Sequence, residues 1–228
     1  MVCTNGRIIR EEWLDLQTPE RAAASLNDLV KINRLLGGHG VLRETMAGVV
    51  RPEERFTLLD VGAASGDMGA SVKAAYPGAE VTSFDYKPDH LVKAAHPRVC
   101  GDAFQMPFRP GSFDIVHCSL FLHHFENDRV VELLRTFAAL ARRAVVLTDL
   151  ERHPLAYYFL PLTTWIFGWD AITLHDGPIS VEAGFHAKEL ESLAREAGLR
   201  GARVVRHRPA FRLALTASVG IAPIAGGN

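Results

Sequence analysis

Neither sign of charge is in excess in this sequence: Lys plus Arg number 25 and Asp plus Glu 26 among 228 residues. Without a net positive field to displace counterions from a polyanion, DNA and RNA are not expected as main substrates. Cysteine is scarce. Cys3, Cys100 and Cys118 are odd in number and form no CxxC spacing, so neither a disulfide framework nor a zinc site is indicated, and a reducing cytoplasm is the expected compartment. Long apolar runs are missing as well. In the opening stretch MVCTNGRIIREEW, charges intervene before the apolar core of a signal peptide can form, so secretion is not expected. The most apolar stretch, Leu155 to Gly168, contains Pro161 and falls short of the roughly 20 residues a spanning helix needs. No stable membrane span is expected, although this stretch is greasy enough to touch a membrane or an apolar ligand.

What is present suits one well-filled core. Hydrophobic residues make up 48% and charged residues 22%, as in an ordinary globular chain, and the length admits a single domain with elaborations. Residues 1–52 read as a helical lead-in. Thr18-Pro19-Glu20 offers an N-cap with proline at the first helical position, Leu26, Leu29, Ile32 and Leu36 follow at helical spacing, and Gly37-Gly38 ends the run.

Residues 53–149 then alternate strand and helix. The strands are expected at Phe56 to Val61, Glu80 to Phe84, Arg98 to Cys100, Phe113 to Ser119 and Ala144 to Asp149, with helices following Gly66, over Pro88 to Ala95 and over Asp128 to Ala141. Such alternation predicts an α/β, Rossmann-like, doubly wound and mostly parallel sheet. Residues 150–186 interrupt it with an aromatic, proline-containing insertion, the candidate substrate lid. Residues 187–218 resume with a helix and a strand pair turned at Pro209, bringing the expected sheet to seven strands, and 219–228 form a tail.

Chemistry concentrates where strands end. Asp60, Gly62, Ala64 and Gly66 stand in the turn after the first strand, where glycine lets a ligand approach the backbone. By itself such a turn is common to many α/β proteins. Asp85 ends the second strand about 20 residues later, where a carboxylate can accept both hydroxyls of a ribose. Asp102 follows the third strand, where it can accept from an exocyclic amine. Met106 and Phe108 beyond it are either apolar wall around a ring or plain core, with core favoured.

Taken together, LLDVGAASGD, the acidic strand end at Asp85, GDAFQMPF and SFDIVHCSLFLHHF resemble, in order, the motifs of class I S-adenosylmethionine-dependent methyltransferases. The resemblance runs over Phe56 to Asp149 and is to the branch that methylates small molecules such as quinones and polyketides. It implies S-adenosylmethionine as cofactor, with Asp60 orienting the turn or the cofactor ammonium and Gly62, Ala64 and Gly66 cradling the cofactor. Asp85 falls at the ribose, Asp102 and Ala103 at adenine, and Ser119 at the methionine part. Ala64 departs from the pattern, since glycine is usual there, and adds a methyl group near the cofactor.

A sulfonium methyl is already activated, so alignment of the acceptor does most of the work and a general base is optional. His123, His124 and His175 are the candidate bases. Each has a bland alternative: packing on the cofactor or capping a helix for the His pair, and an Asp-Gly-Pro turn for His175. Arg34 is read either as a partner for the cofactor carboxylate or as part of a solvated helix face. Tyr157, Tyr158, Phe159, Trp165, Phe167 and Trp169 suit a flat acceptor, a helix pair packed on the domain, or a dimer contact.

The expected activity is methyl transfer to an oxygen, less favourably a carbon, of a hydrophobic, aromatic or polyketide-like small molecule, by a monomer or homodimer and without a metal. The alternative is a non-catalytic S-adenosylmethionine-binding scaffold or sensor. An NAD-dependent oxidoreductase is disfavoured because GAASG replaces GxGxxG spacing and no Tyr-Lys pair is present.

Overall fold

The computed structural model describes residues 6–219, so Cys3 and the tail expected beyond Val219 lie outside the described residues. The lead-in folds as α1 (Trp13–Leu16), α2 (Pro19–Leu35) and α3 (Gly38–Ala47). Thr18 in an extended conformation and Pro19 at the first helical position start α2, and Gly37 in the left-handed region separates it from α3. The core follows as β1 (Phe56–Val61), α4 (Asp67–Ala75), β2 (Ala79–Asp85), β3 (Arg98–Cys100), β4 (Phe113–Ser119), α5 (Asn127–Leu140) and β5 (Ala141–Leu150). The insertion is a helix pair, α6 (Pro154–Phe167) and α7 (Ala171–Ala183). Last come α8 (Ala187–Glu196) and the hairpin of β6 (Arg203–His207) and β7 (Arg212–Ser218).

The seven strands lie in the order β3-β2-β1-β4-β5-β7-β6. The first five run parallel, β7 runs antiparallel to β5, and β6 is antiparallel to β7. Neighbouring residues of one strand point to opposite faces, so each strand feeds two cores. Leu59, Val116 and Leu147 pack under Val131, Leu134 and Phe137 of α5 and Leu190 of α8. On the other face Leu58, Ile115 and Val146 meet Leu42 and Met46 of α3 and Met68 and Val72 of α4. The order reverses between β1 and β4, which opens a crevice at their carboxyl ends.

Two local expectations differ from the structure. Pro88 to Ala95 is not a full helix but one 3₁₀ turn, His90–Lys93. The segment is held between Pro88 and Pro97, and a residue before proline is biased away from helix. The Asp-Gly-Pro stretch is not a turn: α7 runs through Gly177 and Pro178. Proline there removes one helical donor, and tertiary packing overrides that cost. A Cβ on Gly177 would fall 2.3 Å from Leu160, so α6 and α7 approach through that glycine, and Asp176 is fastened by the backbone N–H groups of Trp13 and Leu14.

No helix among the described residues is long and apolar enough to cross a membrane. Within the core, Phe137 is fully buried. Phe137→Ala is expected to cost about 3–5 kcal/mol of unfolding free energy, measured as a drop in the denaturant midpoint at unchanged slope.

Candidate functional site

A cavity of about 1000 Å³ occupies the crevice. Its floor includes Gly62 and Ala64 of the turn after β1, Asp85 at the end of β2, and Asp102 and Ala103 after β3. The Asp85 carboxylate is buried and accepts the backbone N–H of Ala64 at 2.9 Å and of Lys87 at 3.0 Å. These bonds leave lone pairs free and fix the side chain at the cavity edge. Asp102 is held by the Phe104 N–H at 2.9 Å. Ala64 adopts φ 44° while donating to Asp85, so its methyl group is carried in the left-handed region at a cost of about 1–2 kcal/mol. Phe121 covers the turn, and a Cβ on Gly62 would stand 2.5 Å from its ring.

Not every expected residue reaches the cavity wall. Asp60 is buried behind the turn, where it meets His117 Nδ1 at 2.8 Å; its other oxygen has no hydrogen-bond partner among the described residues. Gly66 serves packing instead of ligand approach: its φ is 72°, and a Cβ would lie 2.7 Å from the Cα and Cβ of Ala94. The Ser119 hydroxyl accepts from Thr148 Oγ1 at 2.9 Å, leaving Leu120 and Phe121 on the wall. His175 is also displaced. Helix α7 turns its ring onto Trp13, with centroids 3.6 Å apart, and Nδ1 pairs with Asp176 at 2.7 Å, away from the cavity. Arg34 stays on the exposed face of α2. Met106 and Phe108 pack against the core.

His123 and His124 both line the cavity, on a short 3₁₀ turn after β4. Asp149, at the end of β5, fixes that turn by accepting the Leu122 N–H at 2.9 Å and His123 Nδ1 at 2.6 Å. His123 Nε2 then points towards Glu12, 3.7 Å away, and His124 Nδ1 lies 4.0 Å from the same carboxylate oxygen. Burial pulls the His123 pKa down, but Asp149 and Glu12 outweigh it and hold the imidazolium up to about 9. For Glu12 burial works upward, and hydrogen bonding to His123 with the charges of both histidines brings it to about 2. His124 moves the opposite way from His123: burial, and then the positive charge of His123, lower its pKa. The two stacked rings therefore differ in charge at neutral pH, His123 protonated and His124 neutral.

Glu12, His123 and His124 bring their ligating atoms within 4.8 Å of one another, close enough to hold a cation. Here the His123 ring is flanked by the carboxylates of Asp149 and Glu12, 2.6 and 3.7 Å away.

Sequence reasoning missed Glu12, Asp149 and Arg212. Glu12 gives no signal in a charged opening stretch. Asp149 could have been flagged as an acid at the carboxyl end of a central strand. Arg212 sits on β7 with 3% exposure, lines the cavity and touches Asn33 Oδ1 at 3.4 Å.

These placements fit the adenosine end of a nucleoside cofactor: a glycine turn and a fixed, buried carboxylate meet at one cavity wall. Asp85→Ala is expected to abolish S-adenosylmethionine binding in titration calorimetry. Unchanged affinity would remove the cofactor assignment.

Residues 59–148 match the family described as "Methyltransferase domain". None of the curated protein sequences compared matches the chain. Among solved structures, human N-acetylserotonin methyltransferase in complex with SAM is 20% identical, with a TM-score of 0.62 over 86% of this chain and 55% of that one. A SAM-dependent methyltransferase from Aquifex aeolicus is 15% identical, with a TM-score of 0.60 over 89% and 99%. An O-methyltransferase family 2 protein from Planctomyces limnophilus, in complex with apigenin, is 17% identical, with a TM-score of 0.54 over 86% and 62%. The chain thus spans little more than half the length of the human enzyme, and at these identities the likeness is one of fold. Residues 59–148 are similar to a methyltransferase domain, and the chain shares the α/β fold of the methyltransferases named above.

Proposed function

We propose that the protein transfers a methyl group from S-adenosylmethionine to an oxygen of a hydrophobic small molecule, aromatic or polyketide-like. The observation that carries this reading is a single cavity that takes in both the cofactor wall and a His pair of split charge. About 1000 Å³ lies at the upper end of what ligand pockets offer and leaves space beside a cofactor. Much of the lining is apolar, with Leu26, Leu29, Ile32, Phe121, Phe159 and Leu160 contributing. Such walls favour an apolar acceptor and exclude water from the reacting groups.

Asp85, Asp102, Gly62 and Ala64 are the residues that would hold the cofactor. When bound, it supplies a methyl carbon on a sulfonium, from which an acceptor oxygen displaces the thioether. The chain's own contribution is to place that oxygen and receive its proton. His124, neutral and partly open to the cavity, is the proton acceptor. His123 stays protonated between Asp149 and Glu12, and burial together with that charge keeps His124 neutral. Helices α6 and α7 close one side through Phe159, Leu160 and Val181, the role of a substrate lid.

The groups facing His124 are Glu12, the stacked His123 ring and, farther off, the carboxylates of Asp15 and Asp149. Because the His124 pKa is lowered, the base is neutral above that value and is lost as pH falls through it. The kcat profile should therefore show an acid limb below the ordinary histidine range. His124→Gln is expected to remove that limb and to lower kcat about 10²- to 10⁴-fold. His123→Gln removes the neighbouring positive charge and should move the limb to higher pH; a limb that stays in place would refute the charge split. If labelled methyl never leaves the cofactor across a broad screen of phenolic acceptors while binding stays tight, the protein is a non-catalytic binder instead.

A further inference from the structure

Arg212 is an unusual residue to find in this cavity wall. Three cationic side chains other than histidine line the cavity, and two of them are already engaged. Arg10 pairs with Glu182 at 2.9 Å, and Lys87 donates to the Asp15 carbonyl at 2.6 Å. Arg212 pairs with no carboxylate among the described residues. Its Nη2 reaches Asn33 Oδ1 only at 3.4 Å, and its Nη1 is buried without any hydrogen-bond partner among the described residues. Burial pushes its pKa down to about 10, against the pull of Asp149 and Asp67, so the group remains charged at neutral pH. A buried cation with an unpaired donor is costly unless an acceptor reaches it, and the Arg212 side chain belongs to the cavity wall.

The surroundings say which acceptor fits. Asn33 also donates from Nδ2 to Asp67 Oδ2 at 3.0 Å, and Asp67 opens α4 directly after the glycine turn. Arg212 is therefore tied through one side chain to the turn that forms the cofactor wall. His39 engages Asp67 at 3.0 Å from a further side, so the aspartate is occupied and does not neutralise Arg212 by direct contact. A planar guanidinium with an open donor is shaped for a carboxylate.

We propose that Arg212 is the anion subsite of the cavity and binds the α-carboxylate of the cofactor's methionine portion. The inference rests on the S-adenosylmethionine reading of the same cavity. It gives the amino-acid end of the ligand a partner at β7, far in sequence from the motifs that hold the nucleoside end.

The test compares ligands with and without the carboxylate on the wild-type protein and on Arg212→Met, by titration calorimetry. The ligands are S-adenosylhomocysteine, its decarboxylated analogue and 5′-methylthioadenosine. In the wild type, removing the carboxylate is expected to weaken binding about 10- to 100-fold. In Arg212→Met, S-adenosylhomocysteine should fall to the level of the decarboxylated analogue, while 5′-methylthioadenosine binds as before. Arg212→Lys, which keeps the charge without the fork, should give an intermediate loss and covers the case in which the methionine variant does not fold.

If the wild type binds S-adenosylhomocysteine and its decarboxylated analogue equally, the subsite is overturned without any variant. It is also overturned if S-adenosylhomocysteine binds Arg212→Met unchanged; a raised KM for a carboxylate-bearing acceptor in that variant would then give the arginine to the acceptor. If none of the three ligands binds the wild type, the cofactor reading itself fails, a result separate from the others.

Discussion

The Asp149 carboxylate, 1% exposed at the end of β5, is the contact on which the histidine side of the cavity depends. It accepts the Leu122 and Leu150 N–H groups and His123 Nδ1, at 2.6–2.9 Å. Three donors on one buried carboxylate keep it ionised against its own desolvation, and its pKa is lowered despite full burial. The charge then propagates outward. It favours the protonated form of His123, which pairs with Glu12 and, second to burial, helps keep His124 neutral. Glu12 in turn bonds the hydroxyl of Ser180 on α7, so the opening segment and the insertion are drawn to the same point. Remove the carboxylate and His123 keeps only Glu12, 3.7 Å away, against the pull of burial towards the neutral ring.

The side with the glycine turn is built differently. Gly62, Ala64, Asp85 and Asp102 come from three successive strand ends of a parallel sheet, so their meeting is a consequence of topology and needs little side-chain chemistry. This explains why that half was legible in the sequence. Strand-end acids and a glycine turn recur at spacings fixed by strand and helix lengths, and the alternation of elements locates them without three-dimensional information. Even so, spacing alone did not separate wall from support. Asp60 and Gly66 sit in the right motif yet face His117 and Ala94, because adjacent strand and turn residues point in opposite directions.

The histidine half was less legible for the converse reason. His123 and His124 could be picked out as a pair at a strand end, but their opposite titration comes from Glu12 and Asp149, distant in sequence. His175 stood beside an Asp-Gly-Pro triplet whose local chemistry speaks for a turn. Packing of Gly177 on Leu160 and capture of Asp176 by the backbone of α1 override that local preference and keep the segment helical. The aromatic insertion divides by residue and not as a block: Phe159 lines the cavity, Trp169 is buried beneath Phe167, and Trp165 stands 82% exposed.

The hairpin of β6 and β7 carries a further implication for how the molecule is made. Arg212 and Glu12 lie nearly at opposite ends of the described chain, yet both line one cavity. During synthesis from the amino terminus, the residues of the wall from β1 to β3 emerge first. The opposite wall must wait until β7 has left the ribosome and added to β5. A chain clipped before β7 would therefore keep the glycine turn and the strand-end acids in its sequence while lacking one wall of the cavity and part of the core beneath it.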